Sequence, residues 1–177
     1  SSLLLPNALT IGFARRVAAY KRWDLMLSDV DRLLRLVDDA DRPVQFVFAG
    51  KAHPQDDTAK RILQQLMRIN HDSGWQRRAV FVEDYDQEIA RYLVHGVDVW
   101  MNVPRRPLEA SGTSGMKAAM NGVLNFSILD GWWMEAYNGQ NGFAIGGTDV
   151  KDDLSVMDEE DAEADQNRDE IVMHRPG

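Results

Sequence analysis

The stretch Glu109-Ala110-Ser111-Gly112-Thr113-Ser114-Gly115-Met116-Lys117-Ala118-Ala119-Met120-Asn121-Gly122 passes from small, hydroxylated residues directly into good helix formers. Gly112 and Gly115 let the backbone come close to a ligand, and Ser111, Thr113 and Ser114 offer hydroxyls and N-cap side chains. A loop of this kind feeding a helix gathers free N–H groups at the positive end of the helix dipole, a setting that suits phosphate. One carboxylate, Glu109, precedes the turn, and one lysine, Lys117, lies just inside the helix. On composition alone the same residues also describe a capped helix with a solvated lysine.

Working outward, an apolar run, Val97–Met101, and a Pro/Arg loop from Asn102 to Leu108 precede this stretch, and Val123–Ile128 follows it. Both runs predict strands. Leu9, Ile11 and Phe13 alternate as a first strand, and Val44–Ala49 is apolar except for Gln45, as expected of a strand covered on both faces. Ala79–Val82 makes a third strand, with Glu83-Asp84-Tyr85 at its carboxyl end. Trp23, Met26, Leu27, Val30, Leu33, Leu34 and Val37 recur at steps of three and four, the signature of one helix face. Ala59, Ile62, Leu63, Leu66 and Met67 mark a second helix ending before Ser73-Gly74, and Gln87–His95 a third with Gly96 as its stop. Trp100 reads as packed. Trp132, Trp133 and Tyr137 read as packed aromatics in a Gly/Asn-rich loop, with sugar stacking as their other use.

Five strands alternating with helices predict one parallel α/β sheet flanked by helices. Right-handed crossovers then gather the residues after strands one, three and four at the sheet's carboxyl edge. That places Arg16, Lys21, Tyr85, Glu109 and Lys117 in one crevice. The segment Arg15-Arg16-Val17-Ala18-Ala19-Tyr20-Lys21-Arg22 carries four cations in eight residues at a strand-to-helix junction. It serves equally as a solubilising loop or as an anion site at a sheet edge.

Composition bounds the function. The 177 residues suffice for one domain with a sizeable core. Without cysteine there is no disulfide framework or thiolate metal site, and the four histidines show no ligand spacing. No apolar run is long enough to span a membrane, so a soluble, cytoplasmic protein is expected. Of the net charge of −8, residues 149 to 170 supply −9 through eleven acids and two bases. The remainder is nearly neutral, which excludes nucleic acid as an expected partner. The acidic segment, 148–177 in the division of the chain, reads as solvated and mobile.

The string from Glu109 to Gly122 closely resembles the cofactor-lysine motif of the α-glucan (glycogen, starch, maltodextrin) phosphorylases. In these a lysine, here Lys117, holds pyridoxal phosphate as a Schiff base. The extension Val123-Leu124-Asn125-Phe126-Ser127-Ile128-Leu129-Asp130-Gly131-Trp132-Trp133 is similar to the bacterial branch of the family. The basic segment resembles that family's phosphate loop, with Arg16 and Lys21 at the positions that bind substrate phosphate and Tyr20 at the sugar-phosphate site. Arg15 stands where the family often has a lysine near the cofactor phosphate. Ala18 and Ala19 depart from the His-Glu of many longer homologues. Gly50-Lys51-Ala52-His53-Pro54 also resembles a family loop, with Lys51 and His53 open to a structural or a binding role. Tyr85 matches a tyrosine that approaches the cofactor, while Asp86 replaces an arginine of some relatives and carries no contact over. Thr113, Ser114 and Gly115 match the turn that donates to phosphate, and Glu109, Ser111 and Gly112 match positions that contact sugar hydroxyls.

The resemblance covers residues 8 to 147. It implies a Rossmann-like, pyridoxal-phosphate-binding part of the second lobe of a two-lobe, GT-B-type glycosyltransferase, residues 1–147, so the chain is expected to be a fragment. The implied reaction of the intact enzyme is phosphorolysis of a terminal α-1,4-glucosyl unit. The expected partners are α-1,4-glucan and inorganic phosphate, with no metal, and the full-length enzyme is a possible homo-oligomer. Two alternatives are a nucleotide-sugar-dependent glucan synthase of the same fold, against which Lys117 argues, and a non-catalytic glucan-binding module, against which the intact Arg16, Lys21 and Lys117 set argues.

Overall fold

The computed structural model of the chain describes residues 4–25, 28–37, 39–72, 78–148 and 154–165. Its central strand, β1 (Leu9–Arg16), alternates as its sequence requires: Ile11 and Phe13 join the core on one face of the sheet, and Ala14 joins the core on the other. β2 (Val44–Lys51) runs parallel to β1 in a register from Leu9 opposite Val44 to Arg16 opposite Lys51. β3 (Ala79–Val82) pairs with β2. On the other side of β1 lie β4 (Val99–Asn102), β5 (Leu124–Ile128) and β6 (Gly142–Ile145), all parallel. The sheet order is β3-β2-β1-β4-β5-β6.

The order reverses between β1 and β4, and the covering helices change face there, as right-handed crossovers demand. α1 (Val30–Val37) and α2 (Asp57–Asp72) bury Leu33, Val37, Ala59 and Leu66 against Phe13, Phe46, Phe48 and Met101. α3 (Gln87–Gly96) and α4 (Thr113–Met120) bury Val94 and Ala118 against Ala14, Ala49 and Trp100. This is the parallel α/β sheet flanked by helices that the strand pattern predicts. The point of reversal is where such sheets open a crevice.

Four details differ from the sequence expectation or add to it. First, the apolar face starting at Trp23 is not one helix. The α-helix begins only at Val30, and Trp23 directly follows Arg22, which ends a 3₁₀ turn, Ala19–Lys21, in the left-handed conformation (φ 49°, ψ 55°). Trp23 is nonetheless core: its ring stands edge-on to Phe13 at 4.8 Å between centroids. A Cβ at Gly50 would come within 2.7 Å of the same indole. Met26, Leu27 and the Ser73-Gly74 stop lie outside the described residues.

Second, the Gly/Asn-rich stretch after β5 holds a short helix, α5 (Trp132–Ala136), and the sixth strand. Gly142 is required in that strand because a Cβ there would lie 2.6 Å from the Asn125 carbonyl oxygen and 2.9 Å from the Trp133 ring. Third, Asp86 caps α3, its carboxylate accepting from Ile89 N at 2.9 Å. Fourth, residues Leu154–Asp165 of the acidic segment form α6, in which Asp161 is fully buried. A count of acids reads this segment as solvated because the arginines that compensate it, Arg22, Arg105 and Arg106, lie far off in sequence.

Candidate functional site

Beyond the carboxyl ends of β1 and β2 the chain encloses a crevice of about 760 Å³. Arg16, Tyr20 and Lys21 line it from the β1 exit, Lys51 and His53 from the β2 exit, Tyr85 from the β3 exit, and Thr113, Ser114 and Lys117 from α4. Parallel pairing forces this convergence: Arg16 and Lys51 are register partners at the ends of neighbouring strands. Arg16, Lys51 and Lys117 make no ion pair among the described residues, so three cations line the crevice without a salt-bridge partner, alongside the carboxylates Asp56 and Asp86. A second groove of about 450 Å³, between α3 and α4, shares Tyr85, Ser114 and Lys117 with the crevice, so the Lys117 side chain stands on the wall between the two.

Lys21 is the exception among the cations. Its ammonium pairs with the Glu109 carboxylate, and both side chains are largely buried. It also sits over the Tyr20 ring, 4.7 Å from the centroid, which adds a cation–π contact. The sequence assigns Lys21 and Glu109 to different ligands. The structure joins them across 88 residues.

Arg15 lies below the crevice at the end of β1. Its guanidinium donates through one Nη to the Met101 carbonyl at 3.1 Å and stacks over Phe13, 4.8 Å from the ring centroid. Nε and the other Nη are buried without a hydrogen-bond partner among the described residues. Burial pulls its pKa down to about 10, against the opposing pull of Glu109, Tyr85 and Tyr20. The group is still a cation at neutral pH, and its free donors are worth most to an anion. Burial likewise pushes the Tyr85 phenol up, opposed by Arg15, so Tyr85 is a neutral donor beside the same guanidinium.

The Glu109–Gly115 loop is held from behind by residues that sequence reasoning does not single out. Asp130 accepts from Glu109 N and from Gly131 N, each at 2.9 Å. Ser111 O accepts from Trp132 N at 3.0 Å. A Cβ at Gly131 (φ 56°) would lie 2.8 Å from that oxygen, so glycine is required there. Gly112, at φ 77°, starts α4 without a side-chain cap; Gly115 N and Met116 N donate back to Gly112 O, and among the described residues Thr113 N and Ser114 N are left to other acceptors. Trp100, packed as expected, donates from Nε1 to Ser114 Oγ at 3.3 Å and ties that first turn to β4. Gly115 packs away from the crevice: a Cβ there would sit 2.6 Å from Asn125 Oδ1 and 3.0 Å from Trp132 Nε1. Of the expected site residues, Thr113 and Ser114 are on the crevice wall, whereas Arg15, Ser111, Gly112 and Gly115 are not, and neither is Glu109, which the sequence places in the crevice and which instead sits behind Lys21.

Among the described residues no helix is long and apolar enough to cross a membrane, and no group of three His, Asp or Glu is placed to hold a metal ion. The carbohydrate phosphorylase family model matches residues 6–172. The chain is 56% identical to the glycogen phosphorylase of Aquifex aeolicus over 154 residues, 87% of this chain and 22% of that protein. It is 49% identical to the maltodextrin phosphorylase of Thermococcus litoralis over 158 residues, 89% of this chain and 19% of the relative. It is 52% identical to the glycogen phosphorylase of Mycobacterium tuberculosis H37Rv over 159 residues, 90% and 18% of the two chains. The chain therefore spans about a fifth of the length of these curated relatives. With a family match over nearly its whole length, a parallel sheet and a cation-lined crevice at the sheet's reversal point, the chain belongs to the carbohydrate phosphorylase family.

Proposed function

We propose that residues 1–147 form the pyridoxal-phosphate-binding part of an α-glucan phosphorylase, with 148–177 following it. The intact enzyme would release glucose 1-phosphate from the end of an α-1,4-glucan. The observation that carries this reading is the buried Arg15 guanidinium, with two nitrogens unpartnered among the described residues, within electrostatic reach of Tyr20 and Tyr85 of a crevice that Lys117 and the start of α4 also line. A phosphate monoester carrying an aldehyde fits that donor set. Arg15 and the first N–H groups of α4 would take its phosphate, and the Lys117 amine would hold its aldehyde carbon.

Bound there, the cofactor would supply through its 5′-phosphate a group that exchanges a proton with a neighbouring phosphate. The chain's own residues would do the rest. Arg16 would bind inorganic phosphate by its planar fork, and Lys21 would share its charge between that phosphate and Glu109. Holding two phosphates side by side needs cations that water does not screen, which the largely buried Lys21 and the buried Arg15 provide. Glu109, fixed by Lys21 and by its own N–H to Asp130, would accept from a glucosyl hydroxyl.

The test is borohydride reduction of the purified chain after incubation with pyridoxal phosphate, followed by peptide mapping. Stable label on Lys117 is expected. Label confined to Lys21 or Lys51, the other lysines of the crevice, would overturn the assignment.

A further inference from the structure

We propose that Asp161, on α6 and outside the crevice, is a positioning residue for the Lys21–Glu109 pair. This rests on the reading of Lys21, which lines the crevice, and of Glu109, held against it, as the phosphate- and sugar-recognising pair. Arg22 follows Lys21 directly, and Arg106 precedes Glu109 by three residues. Both guanidinium groups close on the one carboxylate. Arg106 Nη2 donates to Asp161 Oδ1 at 2.9 Å, and Arg22 Nη1 lies 2.8 Å from Oδ2, a charge contact not aligned as a hydrogen bond. The three side chains are almost completely buried and none of them lines the crevice.

The chain direction past Lys21 depends on this anchor. Arg22 occupies the left-handed region, which a non-glycine residue holds only when its surroundings fix it. Its surroundings are Val103 O at 3.0 Å, Pro104 O at 2.8 Å and Asp158 Oδ1 at 3.0 Å, besides Asp161. Those carbonyls belong to the same loop that leads to Glu109, and within it Arg105 N donates to Tyr20 O at 2.7 Å. Arg106 also donates to Gly147 O, just past β6. Asp161 is the fully buried carboxylate that touches both arms, behind the one-third exposed Asp158, which bridges Arg22 and Arg105: remove the Asp161 charge, and two buried cations lose the partner they share. They repel each other, and the relative placement of Lys21 and Glu109 is held less tightly, by the bonds to Val103 O, Pro104 O, Tyr20 O and Asp158 that remain.

The experiment titrates inorganic phosphate into the purified chain by calorimetry, well below the unfolding midpoint of each variant. Asp161→Asn should weaken phosphate binding by roughly tenfold, a displacement effect from a group that never touches the ligand. Asp161→Glu, which restores the charge, should recover most of the loss. Should Asp161→Asn fail to fold, Arg106→Lys carries the test. It keeps the charge, loses the fork that spans Asp161 and Gly147 O, and should weaken phosphate by a smaller factor. Lys21→Ala separates the two levels of the argument. If it abolishes binding while Asp161→Asn, or Arg106→Lys in its place, binds as the parent does, the positioning role is overturned and the reading of the crevice stands. If the parent binds no phosphate, or Lys21→Ala binds as well as the parent, the reading of the pair falls and the positioning role with it.

Discussion

Arg15 and Arg22 stand seven residues apart, on either side of the basic loop, and both guanidinium groups are buried. Arg22 is compensated on every side by two carbonyls and two carboxylates. Arg15 has one carbonyl and an aromatic face, and two of its nitrogens have no partner among the described residues. A buried cation that is fully partnered serves the fold. One left short of acceptors costs stability, and that cost becomes understandable if an anion arrives later to meet it. The contrast separates two uses of one residue type within a single loop.

The sharpest way to break this contrast is Arg22→Met. It keeps the apolar stem, removes every polar contact, and leaves Asp161 with Arg106 alone. The expected loss is about 3–5 kcal/mol of folding stability, the usual cost of breaking a buried pair from one side. Equilibrium urea unfolding measures it. A loss below about 1 kcal/mol, the range of surface pairs, would mean that Arg22 is not buried in a compensated site in solution.

Arg15→Met is the matching experiment and should behave in the opposite way. Removing a poorly compensated buried cation should leave the stability of the chain unchanged, or raise it by ~1 kcal/mol. Affinity for pyridoxal phosphate should fall by roughly ten- to a hundredfold, the worth of one charge-assisted contact of ~1.5–3 kcal/mol. Spectrophotometric titration with the cofactor reads the second quantity and urea unfolding the first. A large stability loss with unchanged cofactor affinity would place Arg15 in the same class as Arg22.

Much of this contrast cannot be read from the sequence. The alternation of Leu9, Ile11 and Phe13 and the steps of Leu33, Leu34 and Val37 depend on burial, which repeats along the chain and is visible in it. The cations of the crevice are also legible, because strand ends in a parallel sheet meet at one edge whatever the intervening sequence. What escapes are pairings between distant segments. Nothing near Arg22 indicates that Asp161 will neutralise it, and nothing near Lys21 indicates Glu109. β6 escapes for a different reason: Gly142 is there to let Asn125 O and Trp133 approach, yet by composition it reads as loop. Asp86 is legible as an N-cap, an acid just before a helical pattern, but its likeness to a family position draws the eye to the arginine it replaces.

The smallest expected effect concerns the outermost member of the compensated cluster. Asp158 is about one-third exposed and pairs with Arg22 and Arg105. Partial burial tends to raise its pKa, but the hydrogen bonds from Arg105 and then Arg22 outweigh it and hold the carboxyl below its usual 3.8. Below that value the unfolded chain binds a proton that the folded chain does not, so stability rises with pH across this window. The contribution of Asp158 is fully present above pH 3.8 and is lost as pH falls through the lower folded value. For a pair this close to solvent it should amount to about 0.2–1 kcal/mol. The stability difference between the parent chain and Asp158→Asn, measured by urea unfolding at a series of pH values, should therefore be constant from about pH 5 upward and shrink toward zero in more acidic solution. A difference that does not change with pH would mean that the Asp158 charge is not what holds α6 to Arg22 and Arg105. Compensation of Arg22 would then rest on Asp161 and the two carbonyls alone.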